Sequence, residues 1–277
     1  MTQPAVTHHV KSLERSSGVK LLDIRRKRVY LTKAGETLFP HAAEIYEQAI
    51  EAEISLQNLK EASLRIGVAL TFSPIVTSAA TTFGELYPHV ELSIKNGPSF
   101  EIAQEVLNLQ LDLAVVASMD YGSPKLEHTT ISAEEKLVLV APSSSPICQK
   151  EQVELSDLCD YPLVMGPEGS ATRQIILNKF AADGLKAKSP IAVEINDVEC
   201  GKSIVADGRG IAIFALSSVE EEVAQGRLKI LPFVDDLRIG VDVIVHRDVC
   251  LSLPGERFTS LVREAFQRHC YHCFHSS

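Results

Sequence analysis

TQPAVTHHVKSLERSSGVKLLDIRRKRVYLTKAGE, residues 2–36, decides how the rest of the chain is read. Val6, Val10 and Leu13 recur at steps of four and three, a spacing that puts them on one face of a helix. Thr2 is placed to cap that helix, and Pro4 is tolerated in its first turn, where a missing N–H costs little. Gly18 can end it in a left-handed conformation. A basic tip follows, Arg25, Arg26, Lys27 and Arg28, then the strand-like run Val29 to Leu31. A helix able to enter a major groove, followed by a basic hairpin able to reach phosphates, is a winged helix-turn-helix layout. Gln3, Thr7 and His8 lie on or beside the face opposite Val6 and Val10. With Thr2 and Pro4 at the helix start and the four basic tip residues, they form the candidate contact set for double-stranded DNA.

The net charge of −9 taken alone argues against nucleic acid. Its distribution argues the other way. Residues 1–33 hold eight Lys or Arg against Glu14 and Asp23, a surplus of six; taking that from −9 leaves −15 on the remainder. A short basic run more often means a solvated loop, but here it sits at wing spacing after a helix, which favours phosphate contact. The sequence has no apolar run of bilayer length and no signal-peptide pattern at Met1, so a cytoplasmic location without a membrane partner is expected.

The six cysteines are scattered, and a chain of this length does not depend on disulfide staples. Cys270-Tyr-His-Cys273, flanked by His269 and His275, has metal-like spacing but lacks a second ligand pair. It is read as a frayed tail, and neither metal nor cofactor is expected.

Thr32 is a candidate N-cap for a long helix reaching about Glu61. Leu38, Ala42, Ile45, Ala49, Ala52, Leu56 and Leu59 follow one another at alternating steps of four and three, a heptad seam. So narrow a seam meets a partner helix more often than a broad core, so it is read as a dimerisation surface. Pro40 is expected to bend the helix entry.

From Leu64 the pattern becomes alternating strand and helix. Strands are expected at Leu64–Leu70, Val90–Ile94 and Leu111–Ala117, with helices at Pro74–Tyr87 and Ser99–Leu109. This is a βαβαβ unit with a parallel sheet. Lys136–Pro142 is expected as a strand leading into a second set of elements. There Tyr161–Met165, Ile191–Ile195 and Gly210–Phe214 read as strands, and Ala171–Ala182 and Val198–Ala206 as helices. Ile239–His246 then reads as a strand and Pro254–His269 as a closing helix.

Several of these stretches together resemble the LysR-type transcriptional regulators. TQPAVTHHVKSLE followed by GVKLLDIRRKRVYLTKAGE resembles that family's DNA-binding domain. LRIG, YPHVELSIKNG and LDLAVVAS resemble the first lobe of its effector-binding domain, and ADGRGIAIFALSSVEEEVAQGRLKILPF the second. The resemblance covers nearly the whole chain. It implies a mixed α/β protein with three parts. Residues 1–33 form a partial winged helix-turn-helix and 34–62 a linker dimerisation helix. Residues 63–277 form a two-lobed, periplasmic-binding-protein-like effector domain, with lobe I at 63–138 and 242–270 and lobe II at 139–241. A homodimer or homotetramer is implied.

The sequence departs from the family at its start. The family normally has about two further helices before this point, and here Met1 falls where the turn before the recognition helix should be. Val6, Val10, Leu13 and Leu31 are then expected to lack their usual cover, and the 277-residue product is expected to bind DNA poorly beside an upstream-extended version.

In an open α/β sheet, ligands bind beyond the carboxyl ends of the strands. Hydroxyl residues stand at helix starts there: Thr71 and Ser73, Ser99, and the Glu168–Arg173 turn with Ser170 and Thr172. Each alone is an ordinary N-cap; together, beside helix N-termini, they suit an anion. Arg173 can pair with a carboxylate or phosphate, and Asn196 follows the next strand. The family places effector contacts at positions corresponding to Thr71 and Ser99. The expected effector is therefore a small anionic metabolite.

Three functions are weighed. The first is a ligand-responsive regulator that binds DNA. The second is a truncated ligand-binding and dimerisation module without competent DNA binding. The third is an enzyme, and against it the sequence shows no GxxxxGK[ST], GxSxG or HExxH pattern. The first is preferred, and no catalytic activity is expected.

Overall fold

The computed structural model describes residues 3–25, 28–57, 63–185 and 191–275, with side chains described outside 3–6, 24–25, 28, 50–57, 132–133 and 270–275. It divides into two compact units, Met1–Lys60 and Glu61–Ser277.

The first unit holds α1 (Gln3–Ser17), an antiparallel hairpin of β1 (Leu22–Arg25) and β2 (Arg28–Leu31), and α2 (Lys33–Gln57). Gly18 takes φ +72° and its N–H donates to the Glu14 carbonyl at 3.0 Å, closing α1 in the left-handed way. The Glu14 carboxylate accepts from the amides of Leu21 at 2.8 Å and Leu22 at 3.1 Å, which ties the end of α1 to the hairpin. Those two amides hold its carboxyl below the usual glutamate range. Thr32 caps α2 as expected: its hydroxyl accepts from the Gly35 amide at 3.1 Å and donates to the Lys20 carbonyl at 2.6 Å. Gly35 is required by close approach, since a Cβ there would stand 2.2 Å from the Leu21 carbonyl oxygen. Leu21 is buried, whereas Leu13, Val29 and Tyr30 are about half exposed.

In the second unit one sheet runs in the order β4-β3-β5-β11-β6-β9-β7-β8, with β10 on β6. β3 (Ser63–Ala69), β4 (Glu91–Gly97) and β5 (Leu113–Ala117) are parallel, linked by α3 (Ser73–Leu86) and α4 (Ser99–Leu107). Every residue of β5 is buried, as a central parallel strand with both faces covered requires. Phe72 and Phe83 meet Phe266 and Phe258 of α8 (Leu253–His275) edge to face, with centroids 5.8 Å and 5.5 Å apart. These elements make the first lobe.

The second lobe contains β7 (Leu163–Met165), α5 (Ala171–Ala182), β8 (Ile191–Glu194), α6 (Val198–Ala206), β9 (Ile211–Ala215), α7 (Leu216–Ala224) and β10 (Leu228–Ile230). Its core gathers Val138, Val164, Val205, Phe214 and Val219. Two strands cross between the lobes. β6 (Leu126–Pro142) pairs with β11 (Leu237–His246) along its first part and with β9 and β10 along its last. The β6–β11 register shifts around Val241.

The structure corrects the sequence reading in three places. The strand expected from Lys136 begins ten residues earlier, at Leu126. α7 was not anticipated as a separate element. The last helix continues past His269 to His275, so the Cys270–Cys273 segment is helical rather than frayed. Among the described residues no helix is long and apolar enough to cross a membrane, and no cluster of three metal-ligating side chains occurs.

Candidate functional site

A narrow cavity of about 40 Å³ opens between the two lobes of the second unit. Leu70 and Thr71, in the turn after β3, supply the first-lobe wall. The other wall comes from the ends of β7 and β9 and the starts of α5, α6 and α7. This is the position beyond strand ends where open α/β sheets receive ligands.

Across the cavity the Thr71 and Thr172 hydroxyls are hydrogen-bonded at 3.1 Å. A second bond joins the lobes nearby, from the Phe100 amide to the Gly169 carbonyl at 3.4 Å. Gly169 has φ +82°, a conformation glycine supplies without strain. Ser170 caps α5, accepting from the Arg173 amide at 3.5 Å. The amides of Ala171 and Thr172 then stand at the first two helical positions, where no carbonyl within the helix can meet them. The Thr71 and Thr172 hydroxyls are the polar groups that meet at this end of the cavity.

Of the seven sequence-designated residues, Thr71, Ser170 and Thr172 line the cavity. The other four turn elsewhere. The Ser73 hydroxyl donates to Asn96 at 2.8 Å. Ser99 is buried. Asn196 is exposed. Arg173 reaches behind the wall, donating to the Gly166 carbonyl at 3.1 Å and to Glu194 at 2.6 Å, so its charge is already paired. Sequence reasoning missed the apolar floor of Met165, Ile195, Val198, Ile213 and Phe214, and also Asp197 and Ser218. Asp197 caps α6 through the Cys200 amide at 2.7 Å, and the Ser218 hydroxyl donates to the Ala215 carbonyl at 2.7 Å. Gly201 lets α6 lie close, since a Cβ there would stand 2.2 Å from the Ile195 Cδ1.

In the first unit, Thr7 and His8 are exposed on α1. Thr2, Arg26 and Lys27 lie outside the described residues, as do the side chains of Gln3, Pro4, Arg25 and Arg28. On α2, Leu38 is half-buried, Ala42 and Ala49 are exposed, and Ile45 is 67 % exposed. Leu59 and the side chains of Ala52 and Leu56 lie outside the described residues. Phe39 and Tyr46, absent from the heptad reading, are 62 % and 59 % exposed beside that seam.

The family model "LysR substrate binding domain" matches residues 57–267, and "Bacterial regulatory helix-turn-helix protein, lysR family" matches 1–36. The chain belongs to the LysR family. It is a LysR-type transcriptional regulator with a ligand-binding domain. The LysR chain is 28 % identical to the uncharacterized HTH-type transcriptional regulator YwqM of Bacillus subtilis, over 96 % of this chain and 90 % of that protein. It is 29 % identical to the transcriptional activator CmpR of Synechocystis, over 83 % and 76 %. In fold it is similar to the regulatory domain of Synechocystis CcmR in complex with 2-PG (TM-score 0.65, 22 % identity, 73 % of this chain and 96 % of that one). It is also similar to the effector-binding domain of QuiR in complex with shikimate (TM-score 0.63, 18 % identity, 76 % and 99 %). Members of this family are transcriptional regulators rather than enzymes.

Proposed function

We propose that this LysR regulator binds a small oxygen-rich metabolite in the cavity between its lobes, and that the ligand replaces the Thr71–Thr172 contact. The observation that carries this is that hydrogen bond itself. It is a direct side-chain link across the cavity, and a ligand oxygen placed there meets both hydroxyls beside the start of α5. The helix start favours an acid group. Arg173, held by Glu194 and Gly166, supports the wall rather than gripping the ligand. The rest of the ligand faces the apolar floor, which suits a compact carbon skeleton.

DNA is contacted by α1 through Gln3, Thr7 and His8 and by the basic hairpin tip, and α2 pairs with a second copy of the chain along Leu38, Ala42, Ile45 and Ala49. Such a protein works in the compartment that holds the genome. The helix-turn-helix likeness over residues 1–36 favours this reading over a binding module without DNA contact. The test is a thermal-shift and calorimetric screen of small organic acids, beginning with 2-phosphoglycolate and shikimate. At least one is expected to stabilise the wild type and to lose that effect in Thr71→Val. A screen in which stabilisers act equally on wild type and Thr71→Val removes the cavity as the effector site.

A further inference from the structure

The polar groups of the cavity differ from one side to the other. On the α5 side the hydroxyls of Thr71 and Thr172 meet beside a helix start, whose dipole favours an acid group. On the side of α6 and α7 the groups are acceptors. Ser218 is 6 % exposed, and its hydroxyl proton is committed to the Ala215 carbonyl, which leaves its oxygen to accept. Asp197 Oδ1 caps α6 through the Cys200 amide at 2.7 Å, and among the described residues no hydrogen bond reaches Oδ2. Asp197 is also the one charged side chain among the described residues that line the cavity. The lysines and arginines of these helices are already paired. Arg173 and Lys179 of α5 meet Glu194 and Asp235, and Lys202 of α6 meets Glu199 at 2.7 Å and Glu222 at 3.1 Å. A second negative charge on a ligand would therefore find no free cation on α5 or α6 and would face the Asp197 carboxylate.

We propose that the ligand is a small aliphatic amino acid, with its carboxylate at Thr71 and Thr172 and its ammonium at Asp197 and Ser218. This rests on the cavity being the effector site and names the class of compound it takes. The two ends of such a ligand match the two sides: an acceptor for hydroxyl protons beside the α5 start, and a donor for the two acceptors opposite. The ammonium also cancels the Asp197 charge, which loses water as the ligand fills the cavity. A ligand hydroxyl in its place would leave that charge uncompensated. The aliphatic side chain then lies on Met165, Ile195, Val198 and Phe214, and the narrowness of the cavity limits it to a few carbons.

The test titrates the full chain calorimetrically with alanine, valine and leucine, with the 2-hydroxy acid and the unsubstituted acid of each skeleton, and with 2-phosphoglycolate. At least one amino acid is expected to bind, roughly tenfold or more tightly than its hydroxy acid, the scale of one charged hydrogen bond. Asp197→Asn keeps an oxygen to cap α6 and removes the charge, so it is expected to lose that preference while circular dichroism shows the fold intact. Asp197→Ser, which also caps, repeats the measurement in a second background. Failure of all three amino acids to bind, equal affinity for the hydroxy acid, or a preference that survives in both variants overturns the proposal. Thr71→Val judges the cavity separately. An acid that loses affinity in Thr71→Val but not in Asp197→Asn overturns the amino-acid class and leaves the cavity standing. A compound bound equally by the wild type, Thr71→Val and Asp197→Asn indicts the cavity itself.

Discussion

The hydroxyl of Thr71 in the first lobe meets that of Thr172 in the second at 3.1 Å, and each stands where a helix begins. Replacing either by valine keeps the shape and removes one partner. Thr71→Val is expected to weaken binding of the compound found in the screen by roughly 1–3 kcal/mol, the range for an unmatched polar group. Calorimetric titration checks it, with circular dichroism showing the fold intact. Equal affinities would mean that the ligand sits elsewhere.

Arg173 is expected to behave differently. Its side chain is 14 % exposed and bridges Glu194 and the Gly166 carbonyl. Arg173→Ala should therefore lower the stability of the second unit by roughly 1–3 kcal/mol, read from urea unfolding, by leaving that carbonyl unmatched. Glu194→Gln, at a half-exposed carboxylate, should leave ligand affinity close to wild type. Weaker ligand binding in Arg173→Ala at undiminished stability would return the guanidinium to the binding set.

Glu14 gives the first unit an acid sensitivity. Its carboxyl is held below the usual range by the Leu21 and Leu22 amides. A depressed acid stabilises the fold above its unfolded value, and that contribution fades as pH falls through the lowered folded value. Hydrogen exchange of the Leu21 amide, corrected for its intrinsic pH dependence, should therefore accelerate in the wild type as pH falls below the ordinary glutamate range. In Glu14→Gln it should already be fast near neutrality and change little with acid. Matching profiles for the two proteins would remove Glu14 as the clamp.

The linker helix should lose its partner when charge is placed on its exposed face. Ile45→Asp together with Tyr46→Asp puts two carboxylates where both protomers would meet. Sedimentation velocity is expected to show a smaller species. An unchanged sedimentation coefficient would assign assembly to another surface.

DNA affinity should fall steeply with salt. Arg26→Ala with Arg28→Ala should flatten the log–log salt slope by about two, one for each phosphate that no longer meets a guanidinium. Thr7→Ala should instead shift preference among sites. Uniform weakening across sequences would move Thr7 from base reading to backbone contact.

Much of the fold could be read in the chain because buried parallel strands appear as continuous apolar runs: LAVVA and IAIFA lie in β5 and β9. The first half of β6, LEHTTISAEE, escaped because its polar residues signal a loop. Its pairing comes from β11, more than a hundred residues away. Hydroxyls at helix starts marked the right neighbourhood, but capping, ligand contact and buried pairing share one signature. Only geometry separates Thr71, which faces the cavity, from Ser73 on Asn96 and the buried Ser99. The heptad reading likewise favoured Ala42 and Ala49 over the larger neighbours Phe39 and Tyr46, because periodicity counts positions and not surface.

The first lobe is assembled from chain on both sides of the second, and this orders its birth on the ribosome. β6, β9 and β10 have all emerged before β11 and α8 exist, so the second lobe can close its core while the first still waits. Phe72 and Phe83 lack their α8 partners until Phe266 and Phe258 leave the exit tunnel. The lobe written earlier in the gene is thus finished last. In that interval its uncovered aromatic face is what a nascent-chain chaperone would find.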